Sequence, residues 1–67
     1  MKKAMLKSRM AEFGDTQATL AAAIGISLSR LNAKINGTDG AEFSLGEVRS
    51  IQERYHLDAQ QTSDIFF

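Results

Sequence analysis

The stretch that decides the fold is Gln17-Ala18-Thr19-Leu20-Ala21-Ala22-Ala23-Ile24-Gly25-Ile26-Ser27-Leu28-Ser29-Arg30-Leu31-Asn32-Ala33-Lys34-Ile35-Asn36-Gly37. It reads as two short helices separated by a tight turn. Ala18, Ala21, Ala22 and Ala23 favour helix and let a second helix cross at close range, while Leu20 and Ile24 supply a buried stripe. Gly25 ends the first helix, because glycine takes the left-handed conformation without a side-chain penalty, and Ile26 then plugs the corner. Ser27 caps the next helix, Leu31 and Ile35 mark its inner face at i and i+4, and Asn36-Gly37 stops it. The stretch is a helix-turn-helix with its core over residues 17–36.

Working outward, Leu6, Met10 and Phe13 at i, i+4 and i+7 predict a helix over residues 3–13, ended by Gly14. Asp15-Thr16 offers a cap for the following helix, with Thr16 the preferred residue. On the other side, Thr38-Asp39-Gly40-Ala41-Glu42 is a polar loop. Ser44 with Glu47 then forms a capping box, and Phe43 with Val48 a hydrophobic staple, so a helix starts at Leu45. Val48, Ile51 and Tyr55 continue its apolar stripe, and Leu57 tucks in behind as that helix ends near His56. Asp58 caps a last helix over 59–66, whose Ile65 and Phe66 are core or interface residues. The expected fold is all-α: a compact five-helix domain over residues 1–67 with no strand pattern.

A chain of 67 residues buries only about 60 % of its unfolded surface, so its core must be small and helical. The absence of cysteine removes disulfides and thiolate metal sites, and the lone His56 cannot build a metal site by itself. No signal-peptide pattern and no apolar run of membrane-spanning length is present, so a cytoplasmic protein is expected. Catalysis has little to stand on: there is no phosphate-binding glycine loop and no nucleophile or carboxylate pair with a partner base at recognisable spacing. The expectation is a protein that is not an enzyme and uses no cofactor, metal or small-molecule substrate.

The formal net charge is zero, but it is unevenly distributed. Residues 1–36 hold Lys2, Lys3, Lys7, Arg9, Arg30 and Lys34 against Glu12 and Asp15, a balance of plus four. The remainder holds Arg49 and Arg54 against Asp39, Glu42, Glu47, Glu53, Asp58 and Asp64, a balance of minus four. A positive half that contains the helix-turn-helix is what attraction to phosphates requires.

The series Gln17, Ala21, Gly25, Ile26, Ser27, Leu31, Ile35 and Asn36-Gly37 resembles the DNA-binding domains of lambdoid phage repressors and Cro-like regulators, over most of the chain. It is most similar to short Cro-like regulators of Gram-positive phages, in which a run like Gly14-Asp15-Thr16-Gln17 opens the motif and an end like Asp64-Ile65-Phe66-Phe67 closes the chain. The resemblance implies that the second motif helix reads DNA in the major groove and that Gln17 contacts a phosphate. The residues alone favour the plainer reading, a polar first-turn residue that faces water.

With Leu31 and Ile35 inward, helical steps of about 100° set Ser29, Ala33 and Asn36 on the opposite side and Arg30 and Asn32 on the flanks. Such a face admits close approach to base edges: asparagine pairs with adenine, arginine with guanine or phosphate, and Ala33 can meet a thymine methyl. A merely solvated face would explain Ser29 and Ala33 as well. Ser29, Arg30, Asn32 and Ala33 are the expected base-reading residues, matching the family's positions. Gln17, Asn36, Lys34 and Arg9 are the expected phosphate contacts, the last two from charge, with Lys2 and Lys3 left to a loose end. Ser27 and Leu28 lie next to the DNA without an assigned role. Leu28 stands where the resembled repressors carry glutamine, and packing beside the core is its expected place, ahead of a thymine contact.

A domain this small reads few base pairs, so a homodimer on palindromic double-stranded DNA is expected, with half-sites about 34 Å apart. Phe66 and Phe67 are candidate dimer residues; the alternative makes Phe66 core and Phe67 a frayed end. The expected function is a phage-like transcriptional repressor that occludes polymerase. The alternative is a protein-interaction module on the same fold that has lost DNA binding, such as an adaptor or anti-repressor.

Overall fold

Left-handed backbone at Gly14, Gly25 and Gly37 (φ +70°, +77° and +66°) breaks the first half of the chain into three helices. In the computed structural model, which describes all residues 1–67, the helices are α1 Lys3–Glu12, α2 Gln17–Ile24, α3 Leu28–Asn36, α4 Leu45–Arg54 and α5 Ala59–Phe66, with no strand. The polar loop after Gly37 holds one short 3₁₀ turn, Thr38–Gly40.

The caps are those the residue types call for. Thr16 Oγ1 accepts from the Thr19 N–H at 3.1 Å, and the Thr19 hydroxyl accepts from the Thr16 N–H at 2.9 Å, so α2 opens on a capping box made of two threonines. Ser27 Oγ accepts from the Arg30 N–H at 3.1 Å to start α3. Ser44 with Glu47, and Asp58 with Gln61, close reciprocal boxes at α4 and α5. At the turn of the motif, the Ile26 N–H reaches the Ala21 carbonyl at 3.0 Å and the Gly25 N–H reaches Ala22 at 3.3 Å, which satisfies two carbonyls that a helix end leaves orphaned. The same pattern at Gly14 ends α1 at Glu12, one residue short of the expected Phe13. Phe13 is the cap residue and is half out in solvent, its ring tilted against Tyr55 at 5.1 Å.

Leu6 and Met10 of α1, Leu20 and Ala21 of α2, Leu31 and Ile35 of α3, Ile51 of α4 and its cap residue Tyr55, Leu57, and Ile65 of α5 form one core cluster. Of the four alanines of α2 only Ala21 is buried, so it marks the close crossing with α3. Burial of five such side chains to zero or one per cent exposure, Leu6, Leu20, Leu31, Ile51 and Ile65, stabilises the fold by about 1.5–3 kcal/mol each. Phe66 packs against the cluster, edge-to-face with Phe43 at 5.6 Å, while Phe67 is exposed. Of the two readings of the terminal aromatics, the structure has Phe66 against the core and Phe67 outside it. Lys2 is not loose: its N–H donates to the Ile65 carbonyl at 2.7 Å and ties the start of α1 to α5.

Candidate nucleic-acid interface

The face of α3 turned away from Leu31 and Ile35 is formed by Ser29, Arg30, Asn32 and Asn36, all exposed. Its first turn is held by the Ser27 cap, so the Ser27 hydroxyl is occupied by backbone although the residue itself is exposed. Arg30 enters none of the three ion pairs and leaves its guanidinium free. Ala33 is half-buried rather than outward, and sits at the edge of this face.

Leu28 does not pack beside the core as expected. It is 50 % exposed and lies outside the core cluster. An apolar side chain therefore stands among the polar ones at the start of this helix.

Three of the four expected phosphate contacts are found in more constrained places than charge alone suggests. The Lys34 ammonium lies 2.6 and 2.8 Å from the two carboxylate oxygens of Glu47, with the two side chains only 12 % and 15 % exposed. Lys34 therefore locks the end of α3 to the start of α4, and a phosphate here would have to compete with a carboxylate. Glu47 also accepts from the Ser44 N–H at 2.8 Å. Burial pushes its carboxyl up, but Lys34 and Ser44 outweigh that effect and hold it below its ordinary 4.5. Asn36 uses its amide nitrogen on the Asn32 carbonyl and Oδ1, at 3.0 and 3.1 Å. Arg9 pairs with Glu12 at 3.3 Å on the surface, a contact worth little and readily exchanged. Gln17, at the first position of α2, is half-buried and its side chain makes no intramolecular hydrogen bond.

Two residues outside the expected set matter. Lys3 reaches from α1 to the end of α3, its ammonium 3.2 Å from Asn36 Oδ1, which brings the basic start of the chain beside the exposed face. Asp15, between the stop of α1 and the cap of α2, accepts from Arg54 Nε and Nη2 and from the Tyr55 hydroxyl, each at 2.7 Å, and from the Thr19 hydroxyl at 2.9 Å. The guanidinium holds the Asp15 carboxyl well below its ordinary 3.8 against the opposing effect of burial. Burial, then the facing carboxylate, push the Tyr55 hydroxyl above its ordinary 10.0. Neither partnership has a sequence signal, since both join residues more than thirty positions apart.

The two ion pairs that join the halves of the chain, Lys34–Glu47 and Arg54–Asp15, each cancel one charge on either side. The first 36 residues keep five cations against Glu12, and the rest keeps Arg49 against five anions. The asymmetry thus survives folding, and four of the five cations outside ion pairs (Lys2, Lys3, Lys7 and Arg30) lie before or within α1 and on α3.

No helix is long and apolar enough to cross a membrane. No protein-family model, curated protein or solved structure matches the chain.

Proposed function

We propose that the chain is a sequence-specific DNA-binding transcriptional regulator that sets α3 into the major groove and binds a palindromic operator as a homodimer. The observation that carries this reading is the exposed face of α3. Its polar side chains, Ser29, Arg30 and Asn32, stand on a helix held from behind by α2, with Arg30 outside any ion pair and Lys3 of α1 beside the end of the face. Arg30 suits guanine or a phosphate, Asn32 adenine, and Leu28 together with Ala33 thymine methyl groups. Gln17, Lys3 and Arg9 would hold the phosphate backbone and set the register. The protein represses by occupying DNA that polymerase needs, and requires no cofactor for this.

The test is selection of bound duplexes from a random library at moderate salt. Enrichment of an inverted repeat with half-sites about 34 Å apart supports operator reading by a two-fold dimer. Failure to enrich any sequence, with the protein folded by circular dichroism, would overturn it.

Two observations favour a second reading, a protein-interaction module on this fold: exposed Leu28 makes the α3 face more apolar, and the Lys34–Glu47 lock makes it less cationic, than phosphate contact alone would require. Such a module would show no steep loss of duplex affinity with salt, whereas a DNA binder loses affinity with a slope near 0.9 per phosphate contact.

A further inference from the structure

We propose that Lys3, through Asn36, fixes the orientation of the Asn32 carboxamide, so that Asn32 reads adenine in one register and a phosphate contact at Lys3 is coupled to base choice. The inference rests on the DNA-binding reading above and assigns a positioning role within it.

The chemistry of the three side chains allows only one arrangement. An ammonium group only donates, so the Asn36 atom 3.2 Å from Lys3 Nζ is the carbonyl oxygen. The Asn36 amide nitrogen then faces Asn32, where it meets the backbone carbonyl at 3.0 Å and Oδ1 at 3.1 Å. An amide nitrogen carries two hydrogens, and these two acceptors use both. Since that nitrogen only donates, Asn32 must turn its oxygen, not its own nitrogen, toward Asn36. Reversing either carboxamide would set donor against donor.

The outcome is a defined hand on the reading face. Asn32 presents its acceptor toward the C-terminal end of α3 and its NH₂ away from it, and one lone pair of Oδ1 stays open. Adenine offers N7 as acceptor and N6–H₂ as donor, the complement of that pair, whereas guanine offers two acceptors and places O6 against Oδ1. A side chain free to flip would present either order; one already held reads with less loss of freedom on binding. Asn36 has no donor left for phosphate, but Lys3 has two of its three hydrogens uncommitted and lies beside it. The phosphate role that the family resemblance implies for Asn36 passes to Lys3, and the lysine joins backbone contact to base readout through a single intervening residue.

The experiment uses the full chain and the duplex enriched by selection, with every single-base variant of one half-site measured at constant salt. Asn32→Ala identifies the A·T pair that Asn32 reads. Lys3→Met and Asn36→Ala are expected to weaken preference at that same pair by about fivefold, one hydrogen bond's worth, with preferences elsewhere unchanged. Lys3→Arg, which still donates to Asn36 Oδ1, is expected to keep the preference. Circular dichroism and the thermal midpoint confirm that each surface variant is folded. Loss of affinity that is uniform over all base variants in Lys3→Met and Asn36→Ala would overturn the proposal while leaving operator binding intact, as would an Asn32→Ala profile that loses no A·T preference. Failure of the parent protein to enrich any duplex would overturn the functional reading itself, and this proposal with it.

Discussion

The carboxylate of Asp15 and the guanidinium of Arg54, thirty-nine positions apart, meet in two hydrogen bonds of 2.7 Å. The Asp15 side chain is 5 % exposed and the Arg54 side chain 38 %. This pair fastens the entrance of the helix-turn-helix to the end of α4, and the Tyr55 hydroxyl adds a third bond to the same carboxylate. α2 is thereby held from its first turn, which in turn sets where α3 can lie. Asp15→Ala would leave the hydroxyl of the buried Tyr55 without an acceptor, a loss that alone costs about 1–3 kcal/mol, and a urea titration should show it as a lowered midpoint at unchanged slope. Asp15→Asn keeps an acceptor for Tyr55 and should cost less.

The same cluster sets the pH range of stability. Asp15 is held below 3.8 in the folded state, so the unfolded chain takes up its proton first, and stability present above that value is lost as pH falls through and below it. Tyr55 is held above 10.0, so its contribution is complete below that value and is lost as pH rises beyond it. Denaturant unfolding across this range should trace a plateau with an acid and an alkaline limb. Asp15→Asn should flatten the acid limb and Tyr55→Phe the alkaline one; an unchanged acid limb in Asp15→Asn would mean that other carboxylates control it.

Lys34 is expected to act as a brace and not as a phosphate contact. Lys34→Ala leaves the part-buried Glu47 carboxylate without its counter-charge and should cost about 2 kcal/mol of stability, while the salt slope of DNA binding hardly changes. Glu47→Gln can still accept from the Ser44 N–H but frees the lysine, so its slope should steepen by about 0.9. A flattened slope in Lys34→Ala would restore the phosphate role that charge counting assigns to it.

Leu28 and Leu31 stand three residues apart on α3, yet one is half exposed and the other fully buried. Leu31→Ala should cost about 2–5 kcal/mol, as for a core leucine, and Leu28→Ala under about 0.5 kcal/mol. If Leu28 meets a thymine methyl, Leu28→Ala should instead weaken the selected operator more than random duplex, which a competition binding assay would read.

His56 occupies the position after the cap of α4 at φ +52°, where Gly14 serves α1. His56→Gly should relieve that strain and raise stability by about 0.5–1 kcal/mol, reduced by loss of the ring contact with Phe13 at 6.1 Å, and calorimetry would measure the balance.

Five helices and nearly all their boundaries were legible from the residues alone, because each boundary is a local event. A serine, threonine or aspartate cap, a glycine in left-handed backbone, and an i, i+4 repeat of apolar residues act within about one helical turn. So Ser27, Gly25 and the Ser44–Glu47 box could be placed without knowing what they pack against. The exposed set on α3 was legible for the same reason, since Ser29, Arg30 and Asn32 follow from the helical period once Leu31 and Ile35 are inward. What only the tertiary structure decided is which polar groups are already spent. Lys34 on Glu47, Asp15 on Arg54 and Tyr55, and Lys3 on Asn36 are joined across 13, 39, 40 and 33 positions. A charged side chain carries no mark of its distant partner, because hydrogen bonding needs contact at about 3 Å and screened charges select one another only within a Debye length, roughly 10 Å, distances reached only once the helices have packed. Leu28 shows the converse: its angle on the helix wheel brings it close to the core stripe, yet half of its surface stays in solvent, because burial needs a neighbouring surface that covers the side chain and an angle alone does not provide one.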